Sequence, residues 1–177
     1  MLSRQEIEQH LKNPNVRKML GVIASAEGVK HGYNTMFGNE RLSDLSKHPG
    51  ILKEFTQTDG KKNKTSAAGR YQFLEPTWNG LAKQLGLKDF SPKSQDIAAV
   101  ALLAQNGALP HVLKGDIPTA VKKSGGTWAS LPSAPDSYKQ PKKTWSDIGM
   151  SGSTFDRVKG KRCLLYTSPS PRDRQKS

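Results

Sequence analysis

The strongest constraint on this chain is an apolar stripe that ends in a carboxylate. Asn13-Pro14 reads as a helix cap followed by proline at the first helical position. Val16, Met19, Leu20 and Ile23 then recur at i, i+3, i+4 and i+7, the spacing that places side chains on one face of an α-helix. Glu27 lies four residues beyond Ile23 and continues that face, and Gly28 follows as a helix terminator. A carboxylate taken out of water is costly unless it is paired or neutralised. Two readings stand. Either the helix end reaches solvent and Glu27 is a surface residue, or the chain keeps an acid against its core for chemistry. Periodicity alone does not choose between them.

The flanking sequence predicts a small α+β domain. Ser3 and Glu6 form a capping box ahead of a short helix carrying Ile7 and Leu11. Residues 31–70 are polar and rich in Gly, Asn, Thr and Lys. Within them Asp59-Gly60 marks a turn between two short runs, 54–58 and 64–67, that predict an exposed β-hairpin, and His48-Pro49-Gly50 marks another turn. Helical patterns then resume. Pro76 opens a helix with Trp78, Leu81, Ala82 and Leu85, closed by Gly86. Ser91-Pro92 opens a second, with Ile97, Val100, Ala101 and Ala104 on one face, closed by Gly107. Residues 109–113 and 117–123 are shorter candidates, and Trp128 and Leu131 are expected to plug the core from a loop. Helix, β-region and helix bundle in that order give a mostly helical domain over 1–145. Residues 146–162 form a poorly defined segment. Residues 163–177 resemble a translated sequencing adapter and are expected to stand outside the fold.

Composition narrows the function. Hydrophobic residues make up 34%, enough for one core, while 28 Lys and Arg against 15 acids leave a formal charge of +13. Such an excess implies an anionic partner: nucleic acid, or a bacterial envelope with its carboxylates and phosphates. A nucleic-acid surface is expected to interleave basic and stacking residues. Here aromatics are only 7%, and lysines such as Lys61, Lys62, Lys64, Lys142 and Lys143 fall in loops, so no specific nucleic-acid partner is expected. Solubility alone is the plainer account of the same charge. The single cysteine, Cys163, excludes an intrachain disulfide. The four histidines (His10, His31, His48, His111) lack ligand-like pairing, so neither a metal nor another cofactor is expected. There is no secretory signal pattern and no run approaching the roughly 20 apolar residues of a membrane span. The expectation is a monomer made in the cytoplasm, without membrane insertion.

Several stretches, in order, resemble the lambda-type endolysin family, glycoside hydrolases that act as lytic transglycosylases. They are Ala24-Ser25-Ala26-Glu27-Gly28, His31-Gly32-Tyr33, Ala68-Gly69-Arg70-Tyr71-Gln72, the run from Lys83 to Asp96, Gly107-Ala108-Leu109-Pro110, Gly115-Asp116-Ile117 and Trp128-Ala129-Ser130-Leu131-Pro132, together covering roughly residues 16–145. The resemblance implies a lysozyme-like α+β fold and a catalytic glutamate at Glu27. It also implies two mobile lips over a sugar cleft, formed by parts of 31–70 and the loop after Trp128. The expected product is a 1,6-anhydro-N-acetylmuramic acid end on peptidoglycan. It further implies holin-dependent release from the host cytoplasm and action in the periplasm. Two departures stand out: Ser25, where some relatives have a Trp-Ser-Glu order, and Lys139 between Tyr138 and Gln140, where a small residue such as glycine is expected.

Most glycosidases flank the scissile bond with two carboxylates. Glu40, Asp44, Glu54 and Asp59, the acids that follow Glu27, lie in the polar segment without a motif around them. A single-acid route, in which the sugar's own 6-hydroxyl attacks, needs no partner. The remaining candidates are binding residues. Tyr71 is suited to stack on or hydrogen-bond a sugar, Gln72 to bond an acetamido group or orient Glu27, and Arg70 to pair with a substrate carboxylate. His31, Tyr33 and Tyr138 are candidate lip residues. The plainer readings are core packing for Tyr71, capping for Gln72 and solvation for Arg70. A hydrolytic lysozyme and a non-catalytic wall binder remain the competing functions.

Overall fold

The computed structural model describes residues 2–150, so the tail expected to lie outside the fold, Cys163 included, falls beyond the described residues. Among the described residues, six helices share one core, accompanied by two short β-ribbons. Helix α1 (Arg4–His10) starts at the expected capping box: Ser3 accepts from the Glu6 amide, and the Glu6 side chain accepts from the Ser3 amide. Helix α2 (Pro14–Glu27) starts at Asn13, whose side chain accepts from the Asn15 amide at 2.7 Å, and ends at Gly28 with φ +69°. That left-handed conformation is one a glycine adopts without penalty. Val16, Met19, Leu20 and Ile23 are fully buried, each worth about 2 kcal/mol in apolar burial. The predicted stripe is therefore the inner face of the helix.

Two antiparallel ribbons follow. β1 (Thr35–Met36) pairs with β2 (Glu40–Arg41), and β3 (Lys53–Thr56) pairs with β4 (Lys62–Thr65) across the Asp59-Gly60 turn. Phe37 and Phe55 pack ring against ring at 5.5 Å, joining the two ribbons.

Helix α3 (Glu75–Leu85) closes at Gly86 as expected, and α4 (Pro92–Gln105) starts at Ser91. The single apolar face expected of α4 needs correction. Residues 94–103 are all buried, so α4 is the central helix, packed against α1, α2, α3 and α5 (Leu109–Leu113). Its polar residues tolerate burial because each is bonded. Gln95, fully buried, donates to the Phe90 and Tyr33 carbonyls and accepts from the Arg70 amide. The end of α4 follows expectation: beyond the C-cap Asn106, Gly107 turns the chain with φ +82°. The Asn106 amide reaches Ser124 at the end of α6 (Ile117–Ser124) and Thr127 just beyond, fixing the loop that carries Trp128. Trp128 and Leu131 are buried, as expected. Ile148 joins the same core, which therefore runs past the boundary expected at residue 145.

Candidate active site

Glu27 is the last residue of α2, and its carboxyl looks into a recess of about 110 Å3 lined by Phe37, Thr65, Ala67, Gln72, Leu74, Thr127, Trp128, Ala129 and Gln140. Three parts of the chain meet there: the helix end, the β-region with the 69–72 turn, and the loop after α6. Among these lining residues Glu27 is the sole titratable group. Ser130 Oγ donates to Glu27 Oε2 at 2.7 Å. Although the residue still reaches the rim of the recess, burial pushes its carboxyl from an ordinary 4.5 up to about 7, while the Ser130 hydrogen bond and the Lys143 charge pull the other way. Desolvation dominates because one hydroxyl and one outlying cation do not replace the water removed. Near neutral pH the group is therefore divided between acid and carboxylate. The Ser130 hydroxyl suits both forms, since it donates to a carboxylate and accepts from a carboxylic acid.

Gln72 lines the recess too, but it neither caps a helix nor bonds Glu27. It sits in a tight turn at φ +51°, and its amide donates to the Gly69 carbonyl at 2.8 Å. That turn needs the preceding glycine: a Cβ on Gly69 would lie 2.5 Å from Gln95 Oε1 and 2.8 Å from Phe90 Cζ.

Tyr71 requires a correction. Its side chain is 0% exposed and its hydroxyl donates to Asp96 Oδ1 at 2.6 Å, so it faces the core and offers nothing to a sugar. Burial beside Asp96 raises its pKa further above the phenol range. Tyr33 donates to the same carboxylate at 3.0 and 3.1 Å. Arg70 donates to the Tyr71 hydroxyl at 2.6 Å and lies over the Tyr33 and Tyr71 rings. Arg17 completes the group with an ion pair to Asp96 at 2.8 Å. Tyr33 and Arg70 therefore serve this network, away from the recess. His31 does not line the recess either; its amide donates to Thr35 Oγ1. Tyr138 does not line the recess; it is 41% exposed and donates to the Gly126 carbonyl.

The two segments expected as lips are in contact. The Thr58 amide, in the β3–β4 turn, donates to the Lys139 carbonyl at 2.9 Å. Lys139 itself has φ +54°, which gives the physical reason a glycine is expected there. Sequence reasoning missed Ser130, Trp128 and Gln140 as neighbours of Glu27. Ser130 and Trp128 lie in the Trp128–Pro132 run that carried the resemblance, but nothing local ties that run to a residue more than a hundred positions earlier. Among the described residues, no group of three His, Cys, Asp or Glu could hold a metal.

What this arrangement offers chemically is a single shielded carboxyl that can hold a proton near neutral pH. Two solved structures share the overall architecture. The lysozyme from bacteriophage lambda superposes with a TM-score of 0.61 at 39% identity, over 68% of this chain and 80% of its own. The lambda lysozyme complexed with a chitohexasaccharide gives 0.65 at 39%, over 83% and 96%. The fold and the site together define a lysozyme-class glycosidase. A family model for endolysins matches residues 17–155. The endolysin of Escherichia phage lambda is 43% identical over 129 residues, covering 68% of this chain and 79% of the relative, and that of Escherichia phage P2 is 34% identical over 133 residues, covering 68% and 81%. The chain belongs to the endolysin family and is a peptidoglycan-cleaving glycosidase.

Proposed function

We propose that the enzyme is a lytic transglycosylase in which Glu27 is the catalytic acid and then the base. The observation that carries this reading is a lone carboxyl, raised to about 7, with no second carboxylate among the residues lining its recess. Protonated Glu27 gives its proton to the glycosidic oxygen between N-acetylmuramic acid and N-acetylglucosamine, and the C1–O bond breaks as an oxocarbenium-like centre develops. The 6-hydroxyl oxygen of the same muramic residue then bonds to C1, and its proton returns to Glu27. No water is consumed. Because the nucleophile is tethered to the substrate, it acts at a high effective concentration, so the missing second carboxylate is no handicap. That the lambda lysozyme is found complexed with a chitohexasaccharide supports a glycan as the substrate. A recess of about 110 Å3 is smaller than the ~300 Å3 at which ligand pockets usually begin.

In this reading the protein acts on periplasmic peptidoglycan as a monomer, after leaving the host cytoplasm through a holin. Among the described residues, no helix is long and apolar enough to cross a membrane. Mass spectrometry of digested peptidoglycan tests the chemistry. Anhydro ends, lighter by one water than reducing ends, are expected; reducing ends alone would make the enzyme a hydrolase.

A further inference from the structure

Lys143 lies outside every stretch that pointed to the site, yet it holds the recess from two sides. Its Nζ donates to the Ala26 carbonyl at 3.0 Å, in the last turn of α2 and adjacent to Glu27. Its backbone amide donates to the Ser130 carbonyl at 2.8 Å, and Ser130 in turn holds Glu27 through its hydroxyl. The final carbonyls of a helix lack intrahelical partners, and a cation there also meets the negative end of the helix dipole.

We propose that Lys143 is a positioning residue for the catalytic acid, tethering the end of α2 with its ammonium and the Ser130 loop with its amide, so that the Glu27–Ser130 pair is set from both sides. The proposal rests on the reading of Glu27 as the acid. Alternative sources of charge are few. Of the elements packed around Glu27, the β-region contributes Phe37, Thr65 and Ala67, the 69–72 turn Gln72, and the loop after α6 Thr127 to Ser130, none of them ionisable. Lys143 is the cation that acts on Glu27. Its neighbour Lys142 is engaged elsewhere, with the Ala134 carbonyl and Asp136. Lys142 and Lys143, two of the loop lysines in the basic surplus, thus both have local structural partners.

The test is Lys143→Met, which keeps the aliphatic stem and the backbone amide but loses the ammonium. Lys143→Arg serves as the conservative variant and Glu27→Gln as the reference. Full pH–rate profiles on purified peptidoglycan are measured for each, with thermal unfolding as a control for folding. In Lys143→Met the high-pH limb is expected to move upward, because the cation favouring the carboxylate is gone. Its kcat should fall about tenfold at little cost in KM, as expected when a reacting group loses its placement. Lys143→Arg should restore both. An unmoved pH limb, or a rate loss that only tracks the unfolded fraction, overturns the proposal while leaving Glu27 as the acid. Activity retained by Glu27→Gln would instead sink the reading beneath it.

Discussion

Two carboxylates lie close to the core of this molecule, and they are treated in opposite ways. Asp96, 4% exposed on the central helix, accepts from the hydroxyls of Tyr33 and Tyr71 and pairs with Arg17. Glu27, at the end of α2, receives one hydrogen bond, from Ser130. The first has its charge met by donors on three other parts of the chain, so it ties those parts together. The second is shielded but underpaired, so its proton is held at a pH where it can still be exchanged. Backbone strain follows the same division. Of the three non-glycine residues with positive φ among those described, Gln72 lines the Glu27 recess and Lys139 directly precedes Gln140, which lines it, while the third, Asn39, lies in the β1–β2 turn. Strained positions persist where the surroundings over-determine them, and they cluster at functional sites. A saturated carboxylate builds the fold; an unsaturated one is left free to react.

Several substitutions can break this contrast or make it sharper. Glu27→Gln should remove about 10³-fold or more of the wall-clearing rate, the usual scale of a general acid, with circular dichroism unchanged. Asp96→Asn should do the reverse, costing about 2 kcal/mol of stability by weakening the charge-assisted hydrogen bonds from the Tyr33 and Tyr71 hydroxyls, and affecting activity only in proportion to the folded fraction. A variant at Asp96 that is stable yet inactive would erase the distinction. Tyr71→Phe leaves Asp96 one donor short and should cost about 1–2 kcal/mol in denaturant unfolding, with KM for glycan unchanged; a raised KM would return Tyr71 to the cleft. The smallest effect belongs to the strained lip. Lys139→Gly relieves a left-handed backbone and should stabilise by about 0.5–1 kcal/mol, seen as a small rise in melting temperature.

Local signals carried much of this architecture. The stripe from Val16 to Ile23, the caps at Ser3, Asn13 and Ser91, and the stops at Gly28 and Gly86 are each decided within a few residues, and the structure follows them. Lys139 departs from the small residue that the family resemblance implies, and its left-handed φ of +54° gives the cause. What local pattern does not carry is the partner across the fold. Ser130 and Glu27 are 103 positions apart, and no periodicity in either segment announces the other. Tyr71 illustrates the same limit. A tyrosine after Gly-Arg suits a sugar or a core equally well, and the choice was made by Asp96, 25 positions later. The burial of α4 on all sides depends likewise on bonds made by Gln95 and Asp96 to distant turns.

The contrast between the two carboxylates also sets a pH dependence for stability. An acid whose pKa is higher in the folded state supports the fold fully below its unfolded value, near 4.5, and that support is lost as pH rises through about 7. Above that point the cost of the buried charge approaches about 3 kcal/mol, and Glu27→Gln should be the more stable protein there while matching the parent near pH 4.

The most direct measurement is the titration of Glu27 itself, followed by the carbon resonance of its side-chain carboxyl, with Glu27→Gln giving the assignment. A midpoint near 7 is the result this account requires. A midpoint at the ordinary 4.5 would mean a solvated surface carboxylate, and the single-acid mechanism would have no proton to give.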